Sequence, residues 1–205
     1  MLLRLFAGIC LFGSCVLLAW AYWPLPVQEA RLSLALPAVA EGPVIVRQAT
    51  LTFPARLRLG EAATLRLSFT PTGDEPAFDG YSLLADATLE MPALHIRSAS
   101  RQQLALIANR PVHFDWEVVA PDTGEVQGIV PLKVHVYFQD ERPAEEVLLS
   151  AQPCQINVSS LFDLPVVFVR LLGALGGIGA FFLFLAAPHL KDYGSSGKSG
   201  RAKII

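Results

Sequence analysis

The sequence predicts a mainly β fold: an antiparallel β-sandwich flanked by an N-terminal and a C-terminal transmembrane α-helix. Two observations carry that expectation. A charge-free apolar run stands near each end of the chain. Between the two runs, short stretches alternate apolar and polar residues and are punctuated by Pro, Gly and Asp. The result is 53% hydrophobic residues and a mean hydropathy of +0.45, high for a chain of 205 residues.

The first run, "LFAGICLFGSCVLLAWAYW" from Leu5 to Trp23, is long enough for a helix crossing a hydrocarbon core of about 30 Å. It reads either as a retained anchor or as a signal peptide cleaved after Ala21 in Ala19-Trp20-Ala21. Lipidation at Cys15 fits poorly, because the residues after it stay apolar. The second run, "LLGALGGIGAFFLFLAAP" from Leu171 to Pro188, reaches spanning length once residues 165–170 are added, with Arg170 snorkelling toward headgroups. The expected organisation is a helix over 1–23, a sandwich over 24–163, a helix over 164–189 and a short basic tail over 190–205. Arg4 precedes the first run, and Lys191, Lys198, Arg201 and Lys203 follow the second, so both ends are read as cytoplasmic. Residues 24–163 then lie outside the cytoplasmic membrane. They hold 17 acids against ten basic residues, a balance that excludes nucleic acid as a natural partner.

The strands of the middle segment follow from period-two alternation, in which one face is buried and one is wet. "RLSLAL" sets Leu32, Leu34 and Leu36 on one side. "VIVRQATLTF" (44–53) changes parity midway, which predicts a bulge. "TLRLSFT" offers Leu65, Leu67 and Phe69, and "LLADATLEM" offers Leu83, Ala85, Ala87, Leu89 and Met91. "QLALI" gives Leu104 and Leu106. "VHFDWEVV" and "VPLKVHVYF" alternate without a break, and "EVLLSA" (146–151) and "QINV" (155–158) close the series. Cys154 is the one cysteine of this segment, so the core must hold without an internal disulfide; a bond between chains stays open.

Asp122-Thr123-Gly124 matches the tripeptide that carries the aspartate of aspartic proteases. It falls between two alternating strands, where Pro121 presets φ, Asp122 can bond its own backbone and Gly124 can take positive φ. A turn explains it; catalysis needs a second carboxylate that shares the site.

The stretch "FDWEVVAPDTGEVQGIVPLKVHVYF" (114–138) resembles the later strands of bacterial immunoglobulin-like domains, and "RLRLGEAATLRLSFTP" (56–71) resembles their early hairpin, bent at Gly60-Glu61. The likeness covers about half of the middle segment and implies the sandwich fold, not a shared function. The antibody-type Cys–Cys bridge is absent.

Other patterns read as follows. "YGSSGKSG" (193–200) lacks the first Gly of a phosphate-binding loop, Asp192 standing in its place, and is a flexible tail. His113 and His135 are expected on polar faces of neighbouring strands, with Asp115 beside His113, too few ligands for a metal. Arg56, Arg58 and Arg66 form a candidate interaction patch on the early hairpin, and "TGDEPAFDG" (72–80) is expected as an exposed loop. In the second apolar run Gly173, Gly176, Gly177 and Ala180 make a small-residue face, extended by Gly179, suited to close approach of another helix: the first span, a second copy or a partner subunit.

No nucleophile, base and orienting group converge in this sequence. The expected function is therefore non-enzymatic, without cofactor or metal: an accessory subunit of a membrane complex or a surface recognition module, in contact with membrane lipid and a membrane-protein partner. The alternatives are an extracytoplasmic hydrolase using Asp122, or a ligand-binding sensor.

Overall fold

The computed structural model describes residues 2–36, 44–78, 80–139 and 143–186. The basic tail, its Gly/Ser run, His189 and Arg142 lie outside the described residues. The chain is mainly β with one helix near each end. It divides into a helical unit (Met1–Pro24 with Leu164–Ile205) and a β unit (Leu25–Asp163).

The helical unit holds α1 (Leu2–Tyr22) and α2 (Val166–Ala186), both long and apolar enough to cross a membrane. Neither has a Gly or Pro that breaks its ladder, and α2 starts immediately after Pro165, which cannot serve as an interior helical residue.

The β unit is two five-stranded sheets packed face to face. Its strands are β1 (Val27–Ala35), β2 (Val46–Pro54), β3 (Arg56–Arg58), β4 (Ala62–Pro71), β5 (Tyr81–Thr88), β6 (His95–Ile96), β7 (Arg101–Leu106), β8 (Val112–Val119), β9 (Gly124–Phe138) and β10 (Glu145–Ser159). One sheet runs β1-β2-β4-β8-β6 and the other β3-β10-β9-β5-β7. All pairings are antiparallel except β3 with β10. The inward rows supply the core: Leu65, Leu67 and Phe69 of β4 and Phe114, Trp116 and Val118 of β8 face Leu132, Val134 and Val136 of β9. Trp116, fully buried, also donates its indole N–H to the carbonyl of Ser100 at 2.9 Å, so its polar edge is satisfied in the core.

Several sequence expectations are corrected here. The segment 56–71 is not a hairpin: β3 joins β10 in one sheet and β4 joins β2 in the other. Gly60, at φ +72, makes the step between sheets, and alternation alone cannot say which sheet a strand enters. The stretch 44–53 carries no bulge. Its pairing with β1 and β4 is continuous, because Arg47 occupies an inward position where alternation predicts an apolar residue. The register shift lies instead in β10, between Leu148 and Ser150. That strand is one 15-residue element rather than two. Leu32 and Leu104 sit in edge strands and remain about two-fifths exposed, at 44% and 38%.

Arg47 is fully buried, and each nitrogen of its guanidinium donates a hydrogen bond. Nε and Nη2 donate to the two carboxylate oxygens of Glu75 at 2.7 and 2.5 Å; Nη1 donates to the carbonyl of Arg110 at 3.1 Å and Nη2 also to that of Ile107 at 2.8 Å. The guanidinium lies 5.5 Å above the Phe69 ring. Glu75 is tied in turn to Asn109, which takes φ +60 and exchanges three hydrogen bonds with it at 2.8–3.1 Å. Residues 72–74, 76, 77 and 80 are exposed, as a loop should be, but buried Glu75 pins the segment to β2 and to the turn before β8.

A buried, bidentate pair is costly to break and cheap to replace whole. Glu75→Gln or Arg47→Met alone should destabilise the chain by about 3–5 kcal/mol, a fall of roughly 10 °C in Tm. The double variant Arg47→Met/Glu75→Leu should recover most of it. Thermal melts of the detergent-solubilised chain followed by circular dichroism check this; equal losses in single and double variants would contradict it.

Candidate interaction surfaces

The helices meet through small side chains. On α1, Ala7, Ser14 and Ala21 recur every seven residues and are buried; on α2 the buried residues are Val166, Val169, Gly173 and Ala180. A Cβ placed on Gly173 would lie 2.8 Å from Leu18 Cγ, and one on Gly176 would lie 2.7 Å from Ser14 Oγ. Gly177 is in ordinary contact range, 3.7 Å from Ser14 Cβ, while Gly179 faces open space and does not extend the contact. The small face of α2 is therefore taken up by α1 of the same chain. The Ser14 hydroxyl donates to the Cys10 carbonyl at 2.9 Å, which satisfies it inside an apolar interface. Arg170 does not point away from the helices as a snorkelling side chain would. Its guanidinium donates to the Ala21 carbonyl at 3.1 and 3.3 Å and lies 4.8 Å from the Tyr22 ring. The last carbonyls of a helix lack intrahelical donors and carry partial negative charge, a natural seat for a cation.

The large side chains of both helices face outward: Phe12 is 71% exposed, Phe182 63% and Leu175 59%. That much apolar surface requires lipid or protein around it.

On the sandwich, the candidate arginine patch is dispersed. Arg56 and Arg58 lie on β3, and Arg58 is buried and bonded to Glu61 at 3.1 Å. Arg66 lies on the other sheet, paired across the ladder with Asp115 at 2.6 Å. His113 and His135 are likewise in opposite sheets. His113 meets the Ser68 hydroxyl at 3.1 Å on an open sheet face, and Asp115 is paired with Arg66. Asp122 is exposed on the connection that carries β8 into β9, from one sheet to the other, with Gly124 at φ +129. No group of three or more His, Cys, Asp or Glu suited to a metal occurs among the described residues.

Asp86 is 2% exposed although it faces the outer side of its sheet. Arg101 grips both its oxygens, Gln103 donates to Oδ2 at 2.9 Å and His135 Nε2 stands 3.2 Å from the same oxygen. The network runs on through Glu146, 3.8 Å from His135 Nδ1, to Lys133 at 2.7 Å, so it spans β7, β5, β9 and β10. Burial by itself would raise the carboxyl's pKa; the hydrogen bonds from Arg101, Gln103 and His135 outweigh it and hold the pKa down at about 2.

The second strand feature is the outer edge of β10. β3 covers only Asn157–Ser159. Asn157 N–H donates to the Ala55 carbonyl at 3.1 Å and the Ser159 carbonyl accepts from Leu59 at 2.9 Å, so odd-numbered residues of this stretch turn their backbone groups away from β9. By that alternation Ala151, Pro153 and Gln155 point theirs to an edge that no described strand covers. Pro153 is tolerated mid-strand because its missing N–H would face outward. Beside this edge opens a cleft of about 670 Å³ lined by Gln28, Phe53, Glu90, Gly128, Pro153 and Gln155. Gly128 is required there, since a Cβ would fall 2.2 Å from Met91 Cγ. Cys154, 3% exposed, packs its sulfur 3.6 Å from that of Met91, and burial pushes its thiol up to about 11. A thiol so placed is a core side chain, not a nucleophile.

The sequence shows no signal for the β10 edge, because strand order is not written in alternation. The seven-residue recurrence of Ala7, Ser14 and Ala21 is visible in the sequence, but Ala19-Trp20-Ala21 competes with it as a cleavage signal.

No protein-family model matches the chain, and no curated protein matches it. Among solved structures it is similar to AggA, the major subunit of aggregative adherence fimbriae type I from Escherichia coli, at 11% identity and TM-score 0.32 over 66% of this chain and 96% of that one. It is also similar to a PapD-like domain of human CEP192, at 8% identity and TM-score 0.29 over 52% and 81%. A conjugative transposon lipoprotein from Bacteroides eggerthii matches at 12% identity and TM-score 0.26 over 66% and 98%. Identities and TM-scores this low carry no argument, and the fold rests on the strand order itself.

The Asp86 network predicts an acid-labile contribution. A carboxyl held below its unfolded value of about 3.9 stabilises the fold above that pH and loses the effect as pH falls toward about 2. Asp86→Asn should lower Tm by several degrees at pH 6, with the gap from the parent closing as pH is lowered to about 2. A gap constant across that range in a pH series of melts would contradict the assignment.

Proposed function

We propose that the chain is a non-enzymatic, membrane-anchored interaction protein, an accessory subunit of a membrane complex. In this reading α1 is retained and pairs with α2 in the cytoplasmic membrane, both termini are cytoplasmic, and the sandwich stands in the extracytoplasmic space. The observation that carries it is the division of labour on the helices: small residues face each other and the large ones, such as Phe12 and Phe182, face outward. A cleaved leader fits less well, because Ala21 is fully buried and its carbonyl receives Arg170.

The strand order supports an immunoglobulin-like assignment. β1-β2-β4-β8-β6 faces β3-β10-β9-β5-β7, and every connection from β2 through to β9 passes from one sheet to the other. Because α1 occupies the small face of α2, the partner is assigned to the sandwich. Strand addition along the free edge of β10 is the mode that its backbone favours. Pro153 together with Glu145 and Glu146 blunts that edge against self-pairing, which favours a different chain as the added strand. A hydrolase using Asp122 gains no support from an exposed carboxylate on a connecting loop.

Ala151→Pro separates binding from folding, since the N–H it removes points away from β9. Gentle extraction with crosslinking and mass spectrometry should recover a neighbour with the parent chain and lose it with Ala151→Pro, while the Tm stays within about 3 °C. Retention of the neighbour would refute the β10 edge, and a parent recovered as an unaccompanied monomer would refute the subunit reading. Asp122→Asn should leave folding and any measured hydrolysis unchanged.

A further inference from the structure

Resting on the membrane reading above, we propose that Phe162 is an interfacial anchor whose ring lies in the headgroup–acyl boundary at the outer end of α2. Phe162 is 84% exposed, more than any other large apolar residue described. It takes φ +56 and Asp163 takes φ +55, two consecutive left-handed residues where Asn-Gly or Gly-Gly would ordinarily stand. The Ser160 hydroxyl donates to the Asp163 carboxylate at 3.1 Å and braces the turn. A bulky aromatic is thus held in an unfavourable backbone state that turns its ring out of the β unit, without burial in return. An environment outside the chain is what makes that arrangement reasonable.

The bilayer is that environment. The 21 residues of α2 span about 31 Å at 1.5 Å each, so Val166 already stands at the edge of the hydrocarbon. Phe162 lies four residues earlier, within about 14 Å of chain. The interfacial layer is roughly 5–7 Å deep on each side. At the outer end of the helical unit Arg170 stands beside Tyr22, which is 66% exposed, and Trp23 next to it is 70% exposed. Aromatic side chains gather at that depth because an apolar ring and a wet backbone are both satisfied there.

The test uses the full chain in phosphatidylcholine–phosphatidylglycerol nanodiscs, with a small fluorescent amino acid placed singly at residue 162, 175 or 137. Residue 175 is exposed and stands about 14 Å along α2, near the middle of the span. Lipids brominated high on the acyl chain or near its end serve as quenchers. The probe at 162 should lose about half its emission with the shallow bromines and much less with the deep ones. The probe at 175 should be quenched most by the deep set, and that at 137, on the sandwich, by neither. Quenching at 175 with none at 162 would overturn the anchor while leaving the membrane reading intact. No quenching at 175 would overturn the membrane reading and the anchor together.

Discussion

The contact of Ser14 with Gly176, and of Leu18 with Gly173, is the constraint on which the rest depends. Helix backbones can approach this closely only where no Cβ intervenes, and a Cβ on Gly173 or Gly176 would fall inside neighbouring atoms. Once that face is fixed, most of the large side chains on the two helices, Phe12, Leu175 and Phe182 among them, are turned outward. Both helices of that pair are long and apolar enough to cross a membrane. Arg170 fits the same logic: a cation within the apolar pair is turned to the Ala21 carbonyl at the end of α1, where its charge has a partner.

The sandwich, by contrast, is complete in itself. Three of its buried charges are closed by partners: Arg47 by Glu75 and two carbonyls, Arg58 by Glu61, and Asp86 by Arg101, Gln103 and His135. Closed networks of this kind fix register and loop position. What the described strands leave uncovered is the backbone edge of β10, with a cleft beside it.

Much of this is legible in the sequence, and the departures have physical causes. The inward rows of β4, β5, β8 and β9 follow directly from alternation, because those strands lie in the interior of a sheet and bury one face. Edge strands obey the rule weakly, which is why Leu32 and Leu104 depart from it. Arg47 breaks the apolar row of β2 and so mimics a bulge. A buried ion pair looks like a polar outward residue until its partner, 28 positions away, is known. Long-range pairing is equally invisible where β3 and β4 imitate a hairpin, and where His113 and His135 look like neighbours. Of the candidate surfaces, the glycine face of α2 is evident from spacing, the three arginines are scattered by the sheet assignment, and the β10 edge has no sequence signal at all.

Disulfide trapping between α1 and α2 addresses the central claim most directly. In a chain with its three native cysteines removed, Leu18→Cys and Gly173→Cys place two thiols where the side chain of one meets the Cβ position of the other. Oxidation of native membranes should give an intramolecular bond in a full-length chain that resists carbonate extraction. A mature chain beginning after Ala21, a bond formed only between two copies, or release of the protein from the membrane would contradict a paired, retained two-helix anchor.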